Sequence, residues 1–87
     1  MAEIHKKIWP QWFEAVSSGK KKFDLRVADF EVKEGDTLVL EEWDPKTSEY
    51  TGRTLTKRVG YVGKFDLNTF GQRALIEKNG LYAIQLE

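Results

Sequence analysis

The chain opens on an alternation. Ile4, Lys6 and Ile8 lie in one phase and His5, Lys7 and Trp9 in the other, which predicts a short first strand. Pro10 follows, suited to the first turn of a helix because its missing N–H has no helical acceptor there. The period then changes. Trp12, Phe13 and Val16 form one apolar face and Gly19 supplies a stop, so a helix is predicted over residues 10–18. In "KFDLRV", Phe23, Leu25 and Val27 alternate with Lys22, Asp24 and Arg26, which predicts a second strand. "KEGD" is a turn around Gly35. "TLVLEEW" is a strand with Leu38 and Leu40 on one face. "DPKTSEYTG" is a hairpin loop, with Pro45 in its turn and Gly52 at its close. "RTLTKRVGYVG" reads as a long strand in which Gly60 and Gly63 mark a bend. "TFGQRALIEK", with Phe70, Ala74 and Ile76 on its buried side, fits a short helix or a structured loop. "GLYAIQLE" ends the chain as a strand with Tyr82, Ile84 and Leu86 in phase.

About five strands and one or two short helices follow from this pattern. The predicted class is α+β, mainly β, as a small β-barrel in a single domain over residues 1–87. Trp12, Phe13, Phe23 and Tyr82 are the expected aromatic core.

Charge is more informative here than composition. The 14 basic and 14 acidic residues cancel. They are unevenly placed: residues 1–28 carry six Lys/Arg and three Asp/Glu, residues 29–50 two and eight, and residues 51–87 six and three. A neutral chain argues against coating nucleic acid indiscriminately, which takes many phosphate contacts, but leaves room for a local basic pocket. Cysteine is absent, which excludes disulfides and thiolate metal sites and points to the reducing cytoplasm. No apolar run approaches the roughly 20 residues of a membrane span, and "MAEIHKK" has no signal-peptide character.

The candidate chemistry gathers in "SSGKKKFDLRV". Asp24 and Arg26 share a strand face, about 7 Å apart at roughly 3.3 Å per residue, so their side chains can converge. Arg26 offers a planar fork for a phosphate or a carbonyl edge. Asp24 can hold Arg26 or Lys21, or accept from an exocyclic amine. Lys21 binds an anion when charged; desolvated, it can act as a base or nucleophile. The competing reading is an Asp–Arg–Lys network that ties a helix-to-strand corner. Trp9 and Trp43, at element ends beside polar residues, are candidates for stacking on unpaired bases. His5 is the single histidine and has no companion ligand, so no metal site is expected. Ser17 and Ser18 lack the spacing of a serine nucleophile. No phosphate-binding loop, dinucleotide fingerprint or zinc spacing occurs, and no cofactor is expected.

The helix ending in "SGKKKFDLR", followed by "FEVKEGDTLVL" and "GLYAIQLE", resembles the ASCH domain family of the PUA-like superfamily, in its compact bacterial and phage branch. The family motif is G-x-K-x-x-E-x-R. Gly19, Lys21 and Arg26 match it, and Asp24 stands where Glu is usual. The resemblance implies a barrel with a cleft beside the motif, and a role in binding RNA or a nucleotide-like ligand. Lys20, Lys21, Lys22, Asp24, Arg26, Trp9 and Trp43 are the expected contacts, with Arg53 and Arg58 as further cations. It also implies an alternative, since some branches resemble hydrolases of modified nucleosides or RNA. Lys21 and Asp24 would then be catalytic, with Glu41, Glu42 or Tyr61 as a third group. A third reading is a protein-interaction domain with an exposed apolar patch around Trp9 or Trp43.

Overall fold

A computed structural model describes residues 1–87. It is a small mixed fold, mainly β, with the order β1 (Glu3–Ile8), α1 (Pro10–Ser17), β2 (Thr37–Asp44), β3 (Glu49–Arg58) and α2 (Arg73–Asn79). The strands form one sheet in the order β1-β2-β3. β1 and β2 are parallel, with Ile4 beside Leu38 and Ile8 beside Glu42. Parallel neighbours need a crossover of a dozen or more residues, which α1 and the chain from 18 to 36 supply. β2 and β3 are an antiparallel hairpin, with Leu40 opposite Leu55 and Trp43 opposite Tyr50. Its turn starts at Asp44, whose Oδ1 accepts from the Lys46 N–H at 2.8 Å and whose carbonyl accepts from the Ser48 N–H at 2.8 Å.

α1 begins at Pro10, as its chemistry dictates, and lays Phe13 and Val16 on the sheet. These two, with Ile8 and Leu40, are the buried apolar core, and Leu38 and Leu55 pack at its margin. Trp12 sits about 100° around the helix from Phe13 and so faces outward, 48% exposed, contrary to its expected core role. Phe23 and Tyr82 also lie outside the core, Tyr82 at 94% exposure.

The expected barrel of about five strands is a three-stranded open sheet here. Residues 22–27 and 81–86 carry the alternating pattern but form no ladder, and Leu25, Val27, Ile84 and Leu86 are exposed. Alternation specifies which side chains share a face; a strand also needs a backbone partner, and neither segment has one. The two meet through a side chain instead, where the Lys22 N–H donates to Gln85 Oε1 at 2.5 Å. The strand predicted to run on through Gly60 stops at Arg58. The segment that fitted a helix or a loop contains α2, which buries no residue. With one sheet, one packed helix and these extended segments, the radius of gyration is 14.5 Å, against about 12 Å for a compact chain of this length.

Two buried carboxylates tie the fold together. Asp36 accepts from the Ala2 N–H and the Lys33 N–H, both at 3.0 Å, pinning the chain start to the turn before β2. Gly35 in that turn has φ +95°, a conformation glycine takes without strain. Glu42, 3% exposed, faces α1. A bulge sets three β3 residues, Thr51 to Arg53, opposite this one β2 residue. Both Thr51 and Arg53 therefore reach the same carboxylate: Thr51 Oγ1 at 2.5 Å, Arg53 Nε at 2.8 Å and Arg53 Nη2 at 2.7 Å.

Candidate functional site

The corner between α1 and the segment after it holds most of the residues singled out from the sequence. α1 ends in a tight turn. The Ser18 N–H donates to the Glu14 carbonyl, the Gly19 N–H to Val16 and the Lys21 N–H to Ala15 at 2.9 Å. Gly19, at φ +80°, reverses the chain there. The reversal sets the Lys21 ammonium between two rings, 5.1 Å from the centre of Trp12 and 5.0 Å from that of Phe23. No carboxylate lies within ion-pair distance of Lys20, Lys21 or Lys22. The corner thus presents the Lys21 ammonium beside two partly exposed aromatic rings, with Lys20 and Lys22 next to it in the chain and likewise without an acid partner.

Asp24 and Arg26 converge as their spacing predicts. Arg26 Nε donates to Asp24 Oδ2, and the two side chains are 22% and 20% exposed. The pair takes up one edge of the guanidinium, and its terminal nitrogens have no protein acceptor. The Ser18 hydroxyl donates to the Ala15 carbonyl at 3.2 Å, so it caps the helix end.

Other expected members lie elsewhere. Trp43 is on the sheet face turned away from α1, where Lys7 Nζ stands 4.5 Å from its ring centre and 5.7 Å from that of Tyr50. Trp9 is the N-cap residue of α1, with its carbonyl accepting from Trp12 and Phe13. Arg53 is not a free cation: it bonds Glu42, reaches Glu14 Oε1 at 2.5 Å, and stacks 4.7 Å over Phe13. Those two carboxylates, Glu42 first, raise the Arg53 pKa above its usual value, and Arg53 together with Thr51 holds Glu42 below the usual carboxylate range. Glu41 is bound to His5, and Tyr61 is exposed. No group of three or more His, Asp or Glu side chains is arranged to hold a metal ion.

The network of Glu42, Thr51, Arg53 and Glu14 escaped the sequence reading. Its signal was faint: an acid in a strand whose neighbours Leu40 and Ile8 are core, answered by an arginine across a hairpin. Only the bulge makes the register fit.

The model of a family described as a domain of unknown function (DUF3850) matches residues 4–74. The chain belongs to that family. The matched span takes in the sheet from Ile4 onward, α1 and the basic corner. The chain is also 38% identical over 60 residues, 68% of its length, to a protein of Escherichia phage P2 described as an uncharacterized 12.9 kDa protein in the GpA 3′ region. Those residues make up 53% of the phage protein, so the chain spans about half the length of the curated relative it matches. No solved structure matches the chain.

Proposed function

We propose that this DUF3850 protein is a binding module for single-stranded RNA or a nucleotide-like ligand, acting through the basic corner as an ASCH-like domain. One observation carries the reading: Lys21 stands between the exposed rings of Trp12 and Phe23, with Lys20 and Lys22 beside it and no acid to neutralise them. An unpaired base needs a flat apolar surface and its phosphate needs a cation, and this corner offers both within one turn of chain. The open edge of the Arg26 guanidinium adds a planar donor pair, which Asp24 holds in place. The resemblance to the G-x-K-x-x-E-x-R motif supports the same residues.

The test is a titration of wild type and the Lys21→Ala/Arg26→Ala variant with short single-stranded RNAs and a panel of nucleosides at two salt concentrations. Three lysine–phosphate contacts predict a slope near −2 in log affinity against log salt, or about 20-fold weaker binding at 200 mM than at 50 mM. The variant loses most of this affinity, and the RNA is recovered intact. A cut RNA or a converted nucleoside replaces the reading with a hydrolase. No binding by wild type overturns it.

A second reading, a protein-interaction domain, draws on one observation. Tyr61, Phe65, Tyr82, Ile84 and Leu86 are each exposed in the last third of the chain, in addition to Trp9 and Tyr50. Wild type that ignores RNA but self-associates favours it.

A further inference from the structure

α1 covers one face of the sheet, and no other helix or strand packs on the opposite face. The bare face is not apolar. Val39 is its one aliphatic side chain, set among Thr37, Thr54 and Thr56. At the end nearest the hairpin turn the character changes. Trp43 and Tyr50 are direct cross-strand partners, and the bulge keeps both on this face. Lys7, from the neighbouring strand, holds its ammonium over both rings. Like the lysines of the corner, Lys7 has no carboxylate within ion-pair distance.

Two acids share this face, Glu3 and Glu41, and both are already engaged. His5 places Nε2 2.8 Å from Glu3 and Nδ1 3.2 Å from Glu41. A ring with a carboxylate at each nitrogen donates to both when it is protonated, so this arrangement favours the imidazolium over the neutral ring. Two acids therefore face two permanent cations, Lys7 of β1 and Arg58 of β3, with His5 as a third when protonated, and the face does not repel a polyanion.

We propose that Trp43, Tyr50 and Lys7 form a second stacking site, for an unpaired base of single-stranded RNA, on the face of the sheet opposite the basic corner. The inference rests on the RNA-binding reading and extends it to a ligand long enough to reach both faces. The aromatic pair is confined to one end of a face whose centre is threonine, so it offers a single flat platform rather than a broad apolar core. A base fits that platform. Stacking on aromatic rings outweighs the attraction between an exposed ammonium and a ring, so a base displaces Lys7 from the ring faces and leaves it free for the adjoining phosphate.

The experiment compares a trinucleotide with a long oligouridylate on wild type, on Lys7→Gln/Tyr50→Leu and on Lys21→Ala. The sheet-face variant binds the long RNA about tenfold more weakly and the trinucleotide as wild type does, because the trinucleotide uses the corner alone. Lys21→Ala weakens both. A Trp9→Phe/Trp12→Phe protein, in which Trp43 is the remaining tryptophan, gives an independent readout that keeps Tyr50 and Lys7: its emission is quenched by the long RNA and not by the trinucleotide. Equal binding of the long RNA to wild type and the sheet-face variant overturns the second site while leaving the corner standing. So does unchanged Trp43 emission with long RNA bound. Absence of any RNA binding by wild type overturns the corner and the second site together.

Discussion

Replacing Thr51 by Val removes one hydroxyl and keeps the shape of the side chain. In this fold that hydroxyl donates at 2.5 Å to Glu42, a carboxylate only 3% exposed. Hydrogen bonds to charged groups contribute about 1.5–3 kcal/mol, and a buried acceptor left short of a donor bears the desolvation cost. Glu42 keeps its two bonds from Arg53, and Thr51 is at the surface, where water can partly replace it, so the low end applies. The expected loss is about 1.5 kcal/mol, which for a domain of this size lowers the melting temperature by roughly 6–12 °C. Thr56 provides the control. It lies on the same strand opposite Val39, on the uncovered face, and Thr56→Val removes a hydroxyl with no protein partner, for a change within about 0.5 kcal/mol. Urea unfolding of the two variants and wild type, at neutral pH and at acid pH, measures both. The pH comparison has a definite sign. The bonds from Arg53 and Thr51 depress the folded-state pKa of Glu42, so its stabilisation is complete above the unfolded value of 4.5 and disappears as pH falls through the lower folded value. The cost of Thr51→Val must shrink over that window. Equal effects of the two valine substitutions, or a Thr51→Val cost unchanged by acid, would refute the assignment of Glu42 as an ionised, bonded carboxylate.

Leu40→Ala should be the more damaging core change: Leu40 is 2% exposed among Ile8, Phe13 and Val16, and such truncations cost about 2–5 kcal/mol, enough with so small a core to leave much of the protein unfolded by circular dichroism at room temperature. His5 should titrate above its usual 6.5, because Glu41 and then Glu3 bond its protonated form; its contribution is complete below the unfolded value and fades as pH rises through the folded one, which NMR of the single histidine reads directly, and a value at or below 6.5 would deny the pairing. Asp36, held low by the N–H groups of Ala2 and Lys33, should behave in the opposite sense, so Asp36→Asn weakens the fold at neutral pH and matters little in strong acid.

The amino-acid pattern by itself located the first strand, the first helix and the hairpin, because each rests on local rules. Period-2 alternation, a proline at N1 and a glycine at the helix end need no distant partner to be read. It also located the basic corner, since Gly19, Lys21, Asp24 and Arg26 are neighbours along the chain and their spacing fixes how they meet. Tertiary structure decided the rest. Alternation in 22–27 and 81–86 looked like strands, yet a strand exists only where another backbone accepts its hydrogen bonds. Trp12 and Phe13 are adjacent and both aromatic, and the angle of α1 on the sheet determines which of them is buried. Arg53 read as a free cation until the hairpin bulge brought it onto Glu42, and Trp43 read as part of the corner until strand parity put it on the other face of the sheet. Contacts between residues far apart in sequence depend on register and packing, and those are properties of the assembled sheet rather than of any stretch of chain.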